Sequence, residues 1–138
     1  MRVLLDTCVI IDALQNRELF ANDAKRIFLL AANKQIDGFI TAKSVTDIYY
    51  LMHHSLHNDK QSRDVLNKLF FLFQVLDTKS SDCINAVASL IPDYEDAVMV
   101  ETAVREKIHC IVTRNIHDYS QSKIEVLSPK EFLDNLKE

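Results

Sequence analysis

Glycine, proline and tryptophan are scarce in this sequence of 138 residues, which contains one Gly (Gly38), two Pro (Pro92 and Pro129) and no Trp. The loops that cradle phosphates in P-loop and dinucleotide-binding proteins need several glycines at fixed spacing. A chain with a single glycine lacks both kinds of loop, which excludes nucleotide binding by those routes. Because few helix-breaking residues occur, helices are expected to dominate.

Cysteines are also few, and their number is odd: Cys8, Cys83 and Cys110 lie far apart among apolar neighbours. This pattern indicates buried, reduced thiols rather than a disulfide framework or a zinc site. The first residues contain one Arg and a short apolar run, which does not fit a signal peptide, and no apolar run approaches the length of a membrane span. We expect a cytoplasmic protein without a membrane partner.

The remaining composition is that of one globular domain, predicted to span residues 1–138. Apolar residues make up 48% and charged residues 26%, close to the average for folded proteins. The formal net charge of −4 argues mildly against a phosphate-binding protein, because Lys and Arg supply most of the affinity for nucleic acids. Two bound divalent cations would cancel that charge and reverse the local potential, so net charge does not exclude a nucleic-acid substrate.

Residues 2–12 are the most informative stretch. The short branched run from Val3 to Leu5 predicts a strand buried on both faces, and it ends on Asp6 and Thr7. In open α/β sheets, ligands bind outside the carboxyl ends of the strands, so Asp6 lies where such a fold places its chemistry. An ionised carboxylate at that position needs a partner, and a cation is the simplest one.

Strands alternate with helices along the chain, which predicts an α/β fold with a parallel sheet covered on both faces. We predict strands at residues 3–5, 39–41, 75–76, 109–113 and near Val126, and a turn at Asp37 and Gly38. Helices are predicted over residues 7–14, 18–33, 44–56, 60–74, 81–90 and 92–107, and from Ser128 onward. Asp93 is predicted to cap the sixth of these helices.

Polar clusters follow the predicted strands or lie on inward helix faces: Asp6 with Thr7, Asp47, Asp96, and Asn115 with Asp118. Carboxylates that converge in a low-dielectric pocket repel each other unless they share cations. Hard oxygen ligands of this kind select Mg²⁺ or Mn²⁺. Such ions can polarise a phosphodiester, generate a hydroxide and stabilise the leaving oxygen. The spacing alone does not prove that the clusters converge.

The motifs at residues 5–12, 44–47, 93–97 and 112–119 resemble those of the PIN-domain family, in the same order and over essentially the whole chain. The resemblance implies a three-layer α/β/α fold with a central parallel sheet of four to five short strands. It also implies a metal-dependent endoribonuclease that uses Mg²⁺ or Mn²⁺ to cleave RNA. The sequence looks closest to small single-domain bacterial members, many of which are toxins paired with an antitoxin protein.

Carried over residue by residue, the resemblance implies six catalytic residues that share polar side chains: Asp6, Asp47, Asp96, Thr113, Asn115 and Asp118. The four aspartates would bind the metal. Asp47 stands where the family often has Glu, which is one methylene longer. Asn115 stands where Asp is common, which leaves Asp118 to supply the negative charge. Thr113 matches the family's usual hydroxyl, which would orient a ligand or contact a phosphate.

Several of these acidic residues also have a structural interpretation. Asp6 fits a helix cap, and Asp93 fits a cap better than a metal ligand. Asp47 taken alone would be a solvated helix residue, and Asp118 a turn former. Asp12 is expected outside the metal ligands, near the site or on the surface.

Two other functions remain open. The departures at Asp47 and Asn115 are compatible with a catalytically inactive RNA- or protein-binding module on the same fold. A phosphatase with Asp6 as nucleophile is also considered, although Cys8 stands where such enzymes need a second Asp.

The apolar run at residues 69–73 covers all sides of its predicted helix, so this run is either deeply buried or forms an interface, for which a homodimer is expected. Basic residues predicted to contact phosphate, or else to form a scattered solvated surface, are Lys43, Lys60, Arg63 and Arg114.

Overall fold

A computed structural model describes residues 1–136 and shows five parallel strands in one sheet, ordered β3-β2-β1-β4-β5. The strands are β1 (Arg2–Leu5), β2 (Asp37–Thr41), β3 (Gln74–Leu76), β4 (Cys110–Val112) and β5 (Glu125–Leu127). Within the described residues, the helices are α1 (Thr7–Leu14), α2 (Ala21–Ala32), α3 (Ala42–Leu56), α4 (Asp59–Leu72), α5 (Ser80–Ala86), α6 (Tyr94–Arg105) and α7 (Pro129–Leu136). A 3₁₀ turn spans Ile116–Tyr119.

Helices cover both faces of the sheet, because alternate residues of each strand point in opposite directions. In the central strand β1, Val3 and Leu5 pack into a core with α1, α2, α3, α4 and α7. Leu4 points the other way, into a second core with α5 and α6. The predicted three-layer α/β/α fold with a short-stranded parallel sheet is therefore confirmed.

Several helices begin at the carboxyl edge of the sheet or beside it with a side-chain cap, among them α1, α3 and α6. Asp6 caps α1, Thr41 caps α3 and Asp93 caps α6, as predicted for Asp93. Each cap side chain accepts a hydrogen bond from a backbone N–H in the first turn. The caps thereby fix the helix starts, and so the side chains in each first turn, relative to the strand ends.

Asp37 and Gly38 belong to β2, so the turn predicted for them is wrong. A Cβ atom on Gly38 would lie 2.7 Å from the ring atom Cδ1 of Phe73. The glycine is therefore needed for the close approach of β2 to a buried aromatic ring, rather than for a turn.

Several predicted helix ends also differ from the structure. Helix α2 begins at Ala21 instead of residue 18, because the chain turns first: Leu19 has a φ of 77°, and the N–H of Ala21 donates to the Arg17 carbonyl over 2.8 Å. Helix α4 ends at Leu72 because the following residues enter β3. Helix α5 is shorter than predicted and ends at Ala86.

The apolar run at residues 69–73 is divided between the core and the surface. Leu69 is 1% exposed and Phe73 is 2% exposed, whereas Phe70 is 45% and Phe71 91% exposed. Half of the run completes the core, and the other half is an apolar surface. Among residues 1–136, no helix combines the length and apolar character needed to cross a membrane.

Candidate active site

A cavity of about 440 Å³ opens at the carboxyl edge of the sheet. Asp6 follows β1 and Thr41 ends β2, while Asp96 lies in the first turn of α6. This is the edge at which open α/β sheets bind their ligands. The other lining residues include both polar and apolar side chains: Thr7, Lys43, Ser44, Asp47, Tyr50, Leu51, Thr78, Cys83, Tyr94, Glu95, Val98 and Met99.

Asp6 is held by three neutral donors. Its Oδ1 accepts from the N–H of Thr7 over 2.7 Å. Its Oδ2 accepts from the Thr113 hydroxyl over 2.8 Å and from the Tyr119 hydroxyl over 3.2 Å. Burial raises the pKa of Asp6, and the hydrogen bonds only partly oppose this effect. The predicted cap role is thus correct, and the same side chain also faces the cavity.

Asp96 lies beside Asp6 and shares a hydrogen-bond partner with it. The backbone N–H of Asp96 donates to Asp93 Oδ1, and its side-chain Oδ1 accepts from the Tyr119 hydroxyl over 3.0 Å. Burial, followed by the negative charges of Asp6, Asp93 and Asp118, raises the pKa of Asp96 to about 6, against the lowering effect of the Tyr119 hydrogen bond. The two aspartates therefore lie close enough for their negative charges to repel each other, which is the condition under which a shared cation would stabilise them.

Tyr119 is a site residue that the sequence interpretation missed. Its side chain is 2% exposed, and its hydroxyl lies between Asp6 and Asp96. Burial and the two nearby carboxylates raise the pKa of Tyr119, so the phenol keeps its proton. The residue falls inside the motif at residues 112–119, but no spacing rule distinguishes this tyrosine from a core aromatic.

Asp47 lines the same cavity, but its charge is already paired. Lys43, one turn earlier on α3, places Nζ 2.7 Å from Asp47 Oδ2 and 3.0 Å from Glu95 Oε2. The ammonium group thus lies between acids of α3 and α6. This ammonium group compensates the negative charge of Asp47, for which the sequence predicted a metal ion.

Asn115 and Asp118 are exposed and do not line the cavity. The N–H of Asn115 donates to the Thr113 hydroxyl oxygen over 3.1 Å, which ties the loop after β4 to Asp6 through Thr113. Asp118 acts on the site only through its charge, which contributes to the raised pKa of Asp96. The structure therefore brings together three of the six predicted residues and leaves Asp47, Asn115 and Asp118 around them.

The described residues offer a carboxylate pair rather than a larger ligand cluster. Within residues 1–136, no three His, Cys, Asp or Glu side chains are placed so that they could hold a metal ion together. Mg²⁺ is commonly bound through one or two carboxylates, with water and substrate phosphate completing its shell. Asp6 and Asp96 fit that mode, because they are hard oxygen donors whose mutual repulsion a divalent cation would relieve.

The four basic residues predicted to contact phosphate all form ion pairs. Lys60 pairs with Asp64 and Arg63 with Asp59 on the surface of α4. Arg114 pairs with Asp12, whose side chain is only 1% exposed, so Asp12 is a buried ion-pair partner. Lys43 alone of the four lies in the cavity wall.

A family model described as PIN domain matches residues 2–117. The chain belongs to the PIN-domain family. No curated protein matches the sequence. Its likeness to solved structures extends over nearly the whole chain, but at identities that show the fold alone.

Three solved structures illustrate that likeness. VapBC2 from Rickettsia felis, bound to a promoter DNA fragment, has a TM-score of 0.69 at 18% identity, covering 93% of this chain and 98% of that chain. A toxin–antitoxin complex from Klebsiella pneumoniae has a TM-score of 0.67 at 20% identity, covering 92% and 97%. VapBC-1 from nontypeable Haemophilus influenzae has a TM-score of 0.69 at 17% identity, covering 94% and 99%.

Proposed function

We propose that this PIN-domain protein is an endoribonuclease that depends on Mg²⁺ or Mn²⁺ and acts in the cytoplasm as the toxin of a toxin–antitoxin pair. The observation that carries the proposal is the convergence of Asp6 and Asp96 in one cavity, where no cationic side chain of the described residues 1–136 is hydrogen-bonded or ion-paired to either acid. Family membership adds a second, independent line of support. Buried acids with raised pKa values and no compensating cation are typical of functional sites.

A divalent ion bound by Asp6 and Asp96 would neutralise their charge and polarise a phosphodiester. The protein's own residues orient this pair: Thr113 and Tyr119 hold the carboxylates, and Lys43 places a positive charge in the cavity wall for a substrate phosphate. Attack by water on the phosphorus leaves a 5′-phosphate and a 3′-hydroxyl. A 2′,3′-cyclic phosphate product would require attack by the RNA itself and would contradict this mechanism.

An antitoxin partner and a homodimer belong to the same proposal. The neighbour from Klebsiella pneumoniae is a toxin–antitoxin complex. In this chain, apolar side chains stand exposed on α5 and just after it: Ile84 is 70%, Val87 77% and Leu90 78% exposed. Exposed apolar groups of this kind provide binding energy when another chain covers them. Light scattering on the purified protein, with Leu90→Glu as the disrupting variant, tests the homodimer.

The decisive experiment is cleavage of a mixed structured RNA pool by purified protein, with Mg²⁺ or Mn²⁺ against chelator and beside Asp96→Asn. We expect metal-dependent cuts that bear 5′-phosphates and that disappear in the variant. Thermal unfolding with and without metal runs in parallel, because a ligand that binds only the folded state raises its stability.

The inactive binding module remains the second candidate function. The observation that favours it is the pairing of Asp47 with Lys43, together with the exposed positions of Asn115 and Asp118 outside the cavity. No cleavage and no metal-induced stabilisation would establish this alternative. Stabilisation by metal without cleavage of the pool would instead point to a nuclease with a narrow RNA target.

A further inference from the structure

The Tyr119 hydroxyl occupies a distinctive position between the two acids of the site. It lies 3.2 Å from Asp6 Oδ2 and 3.0 Å from Asp96 Oδ1. Among residues 1–136, no other side chain is hydrogen-bonded to both carboxylates. Thr113, whose hydroxyl also donates to Asp6, is not hydrogen-bonded to Asp96 within the described residues.

The ring that carries this hydroxyl is firmly held. Tyr119 ends the 3₁₀ turn after β4, and its ring packs in the core between the sheet and α6. The hydroxyl also lies 3.6 Å from Met99 Sδ on α6. Because protein cores are close-packed, the ring fixes the position of its oxygen relative to both acids.

The hydrogen bonds leave one oxygen of each carboxylate available. Asp6 Oδ2 accepts from both Thr113 and Tyr119, which fills the two lone-pair directions of that oxygen. Asp6 Oδ1 accepts one hydrogen bond from the described part of the chain, that of the Thr7 N–H. On Asp96, Oδ1 accepts from Tyr119, whereas no donor within the described residues reaches Oδ2. Tyr119 therefore engages Asp6 Oδ2 and Asp96 Oδ1 and leaves Asp6 Oδ1 and Asp96 Oδ2 for a ligand.

We propose that Tyr119 is a positioning residue that makes Asp6 and Asp96 offer one oxygen each to a small cation, and thereby favours Mg²⁺ over Ca²⁺. The inference rests on the proposed metal-dependent function. Mg²⁺ demands a tight octahedral shell and keeps several waters, so single oxygens from two acids suit it. Ca²⁺ takes six to eight oxygens at longer distances and often uses both oxygens of a carboxylate. A carboxylate oxygen held by a phenol is not free for such bidentate binding.

The test is metal binding by Tyr119→Phe in the absence of RNA, measured by calorimetry and by the shift in unfolding temperature with Mg²⁺ and Ca²⁺. Partners of metal ligands commonly change affinity by about 10–100-fold when removed, so we expect Mg²⁺ binding to weaken by roughly tenfold. Ca²⁺ binding should weaken less or improve, because both oxygens of each acid become available. The ratio of the two affinities therefore moves toward Ca²⁺.

Tyr94→Phe is the matched control. Tyr94 lines the same cavity, but its hydroxyl donates to the backbone carbonyl of Cys83 and not to an acid. Its removal should leave both metal affinities unchanged. Thr113→Val, which removes one hydrogen-bond donor from Asp6 and none from Asp96, should shift the ratio less than Tyr119→Phe does. Circular dichroism without metal verifies that each variant is folded.

An unchanged Mg²⁺ to Ca²⁺ ratio in folded Tyr119→Phe would overturn the positioning role and leave the proposed function intact. Wild-type protein that binds both metals equally would overturn it without any variant, which covers the case in which Tyr119→Phe does not fold. Wild-type protein that binds neither metal would remove the metal-dependent function itself, and this inference with it.

Discussion

Two aspartates, Asp6 just before α1 and Asp12 in its last turn, have contrasting partners. Asp12 is 1% exposed and has two guanidinium partners: Arg114 Nη2 donates to Asp12 Oδ1 over 3.2 Å, and Arg17 Nη1 lies 3.6 Å from the same oxygen. Within residues 1–136, the hydrogen bonds to Asp6 come from neutral donors, one of which, Tyr119, is shared with another acid, Asp96. Burial is common to both, so burial alone does not mark a functional acid. What distinguishes the two acids is the charge and the chemical identity of their hydrogen-bond partners.

Consecutive residues at the end of β4 serve the two acids. Thr113 donates its hydroxyl to Asp6, and Arg114 donates its guanidinium to Asp12. The Arg114 guanidinium also lies over the Phe20 ring, 4.2 Å from its centroid, which fixes it away from the cavity. The segment at residues 113–114 thus gives Asp12 a cationic partner, which stabilises the fold, and gives Asp6 a neutral partner, which leaves its charge for the proposed metal.

Asp6→Asn should break the functional half of this comparison. We expect RNA cleavage to fall by at least about 100-fold, because a proposed metal ligand is lost and even outer partners of metal ligands are worth 10–100-fold. The fold should persist, since Asn also caps helices well. Without metal the variant should be no less stable than wild type, because repulsion from Asp96 is relieved.

Asp93→Asn is the control for that variant. It removes a nearby negative charge from the start of α6 but preserves a capping side chain, and Asp93 does not line the cavity. Cleavage within a fewfold of wild type is expected. Unfolding of Asp6→Asn would assign Asp6 a purely structural role.

Asp12→Ala should break the structural half. The change leaves Arg114, which is 24% exposed, without its carboxylate partner. Removing one member of a buried pair costs about 3–5 kcal/mol, and the partial exposure of Arg114 places the expected loss in the free energy of unfolding near 3 kcal/mol. Urea denaturation measures it, and Mg²⁺ should still stabilise the variant. Asp23→Ala, which removes an exposed pair with Arg26, should cost less than about 1 kcal/mol.

Acid titration should reveal the stabilising effect of a cationic partner at Asp82, a second acid that is paired with an arginine. Burial tends to raise the pKa of Asp82, but hydrogen bonds from Arg105, the Lys79 N–H and Thr102 outweigh it and lower the pKa to about 2. A carboxyl whose pKa is lower in the folded state adds stability above its unfolded pKa of about 4, and that stability is lost as the pH falls through 2. The expected loss is roughly 2 kcal/mol.

Denaturation of wild type and Asp82→Asn between pH 5 and pH 2 isolates this contribution. The variant should be less stable at pH 5, and its stability should fall less steeply with acid. Parallel pH profiles for the two proteins would contradict the assigned pKa.

Lys43→Met tests how much a cation in the cavity wall weakens metal binding, and its expected effect is the smallest of these variants. The variant removes the ammonium that pairs with Asp47 and Glu95, both of which are substantially exposed. Exposed ion pairs contribute at most about 1 kcal/mol, so Mg²⁺ should bind no more than about fivefold tighter once the competing cation is gone. Calorimetry measures this change. Lys60→Met, which breaks a comparable pair on α4, should leave Mg²⁺ binding unchanged.

The parts of the fold that depend on local pattern could be predicted from the sequence. The run from Val3 to Leu5 predicted β1, and Asp93 predicted the start of α6, because strand burial and helix capping are encoded by neighbouring residues. The prediction of a turn at Gly38 was wrong because this glycine makes room for the ring of Phe73, which is distant in sequence.

The site was predictable to the same degree. Asp6 and Asp96 follow from strand-end and helix-start patterns, whereas the role of Tyr119 depends on a contact with Asp6 across 113 positions of sequence. The ion pair between Lys43 and Asp47 depends on side-chain geometry and on Glu95, which lies on another helix. No local spacing distinguishes such an ion pair from a metal ligand.

The position of β1 in the middle of the sheet has a consequence for protein synthesis. Asp6 leaves the ribosome more than 100 residues ahead of β4 and of the loop that carries Thr113 and Tyr119. Contacts between such distant positions form late, because the intervening chain must first be ordered. A nascent chain halted before residue 110 therefore lacks β4, one of the two strands that pair with β1, and both hydroxyls that hold Asp6. Translation itself delays the assembly of the site until residue 119 has been made.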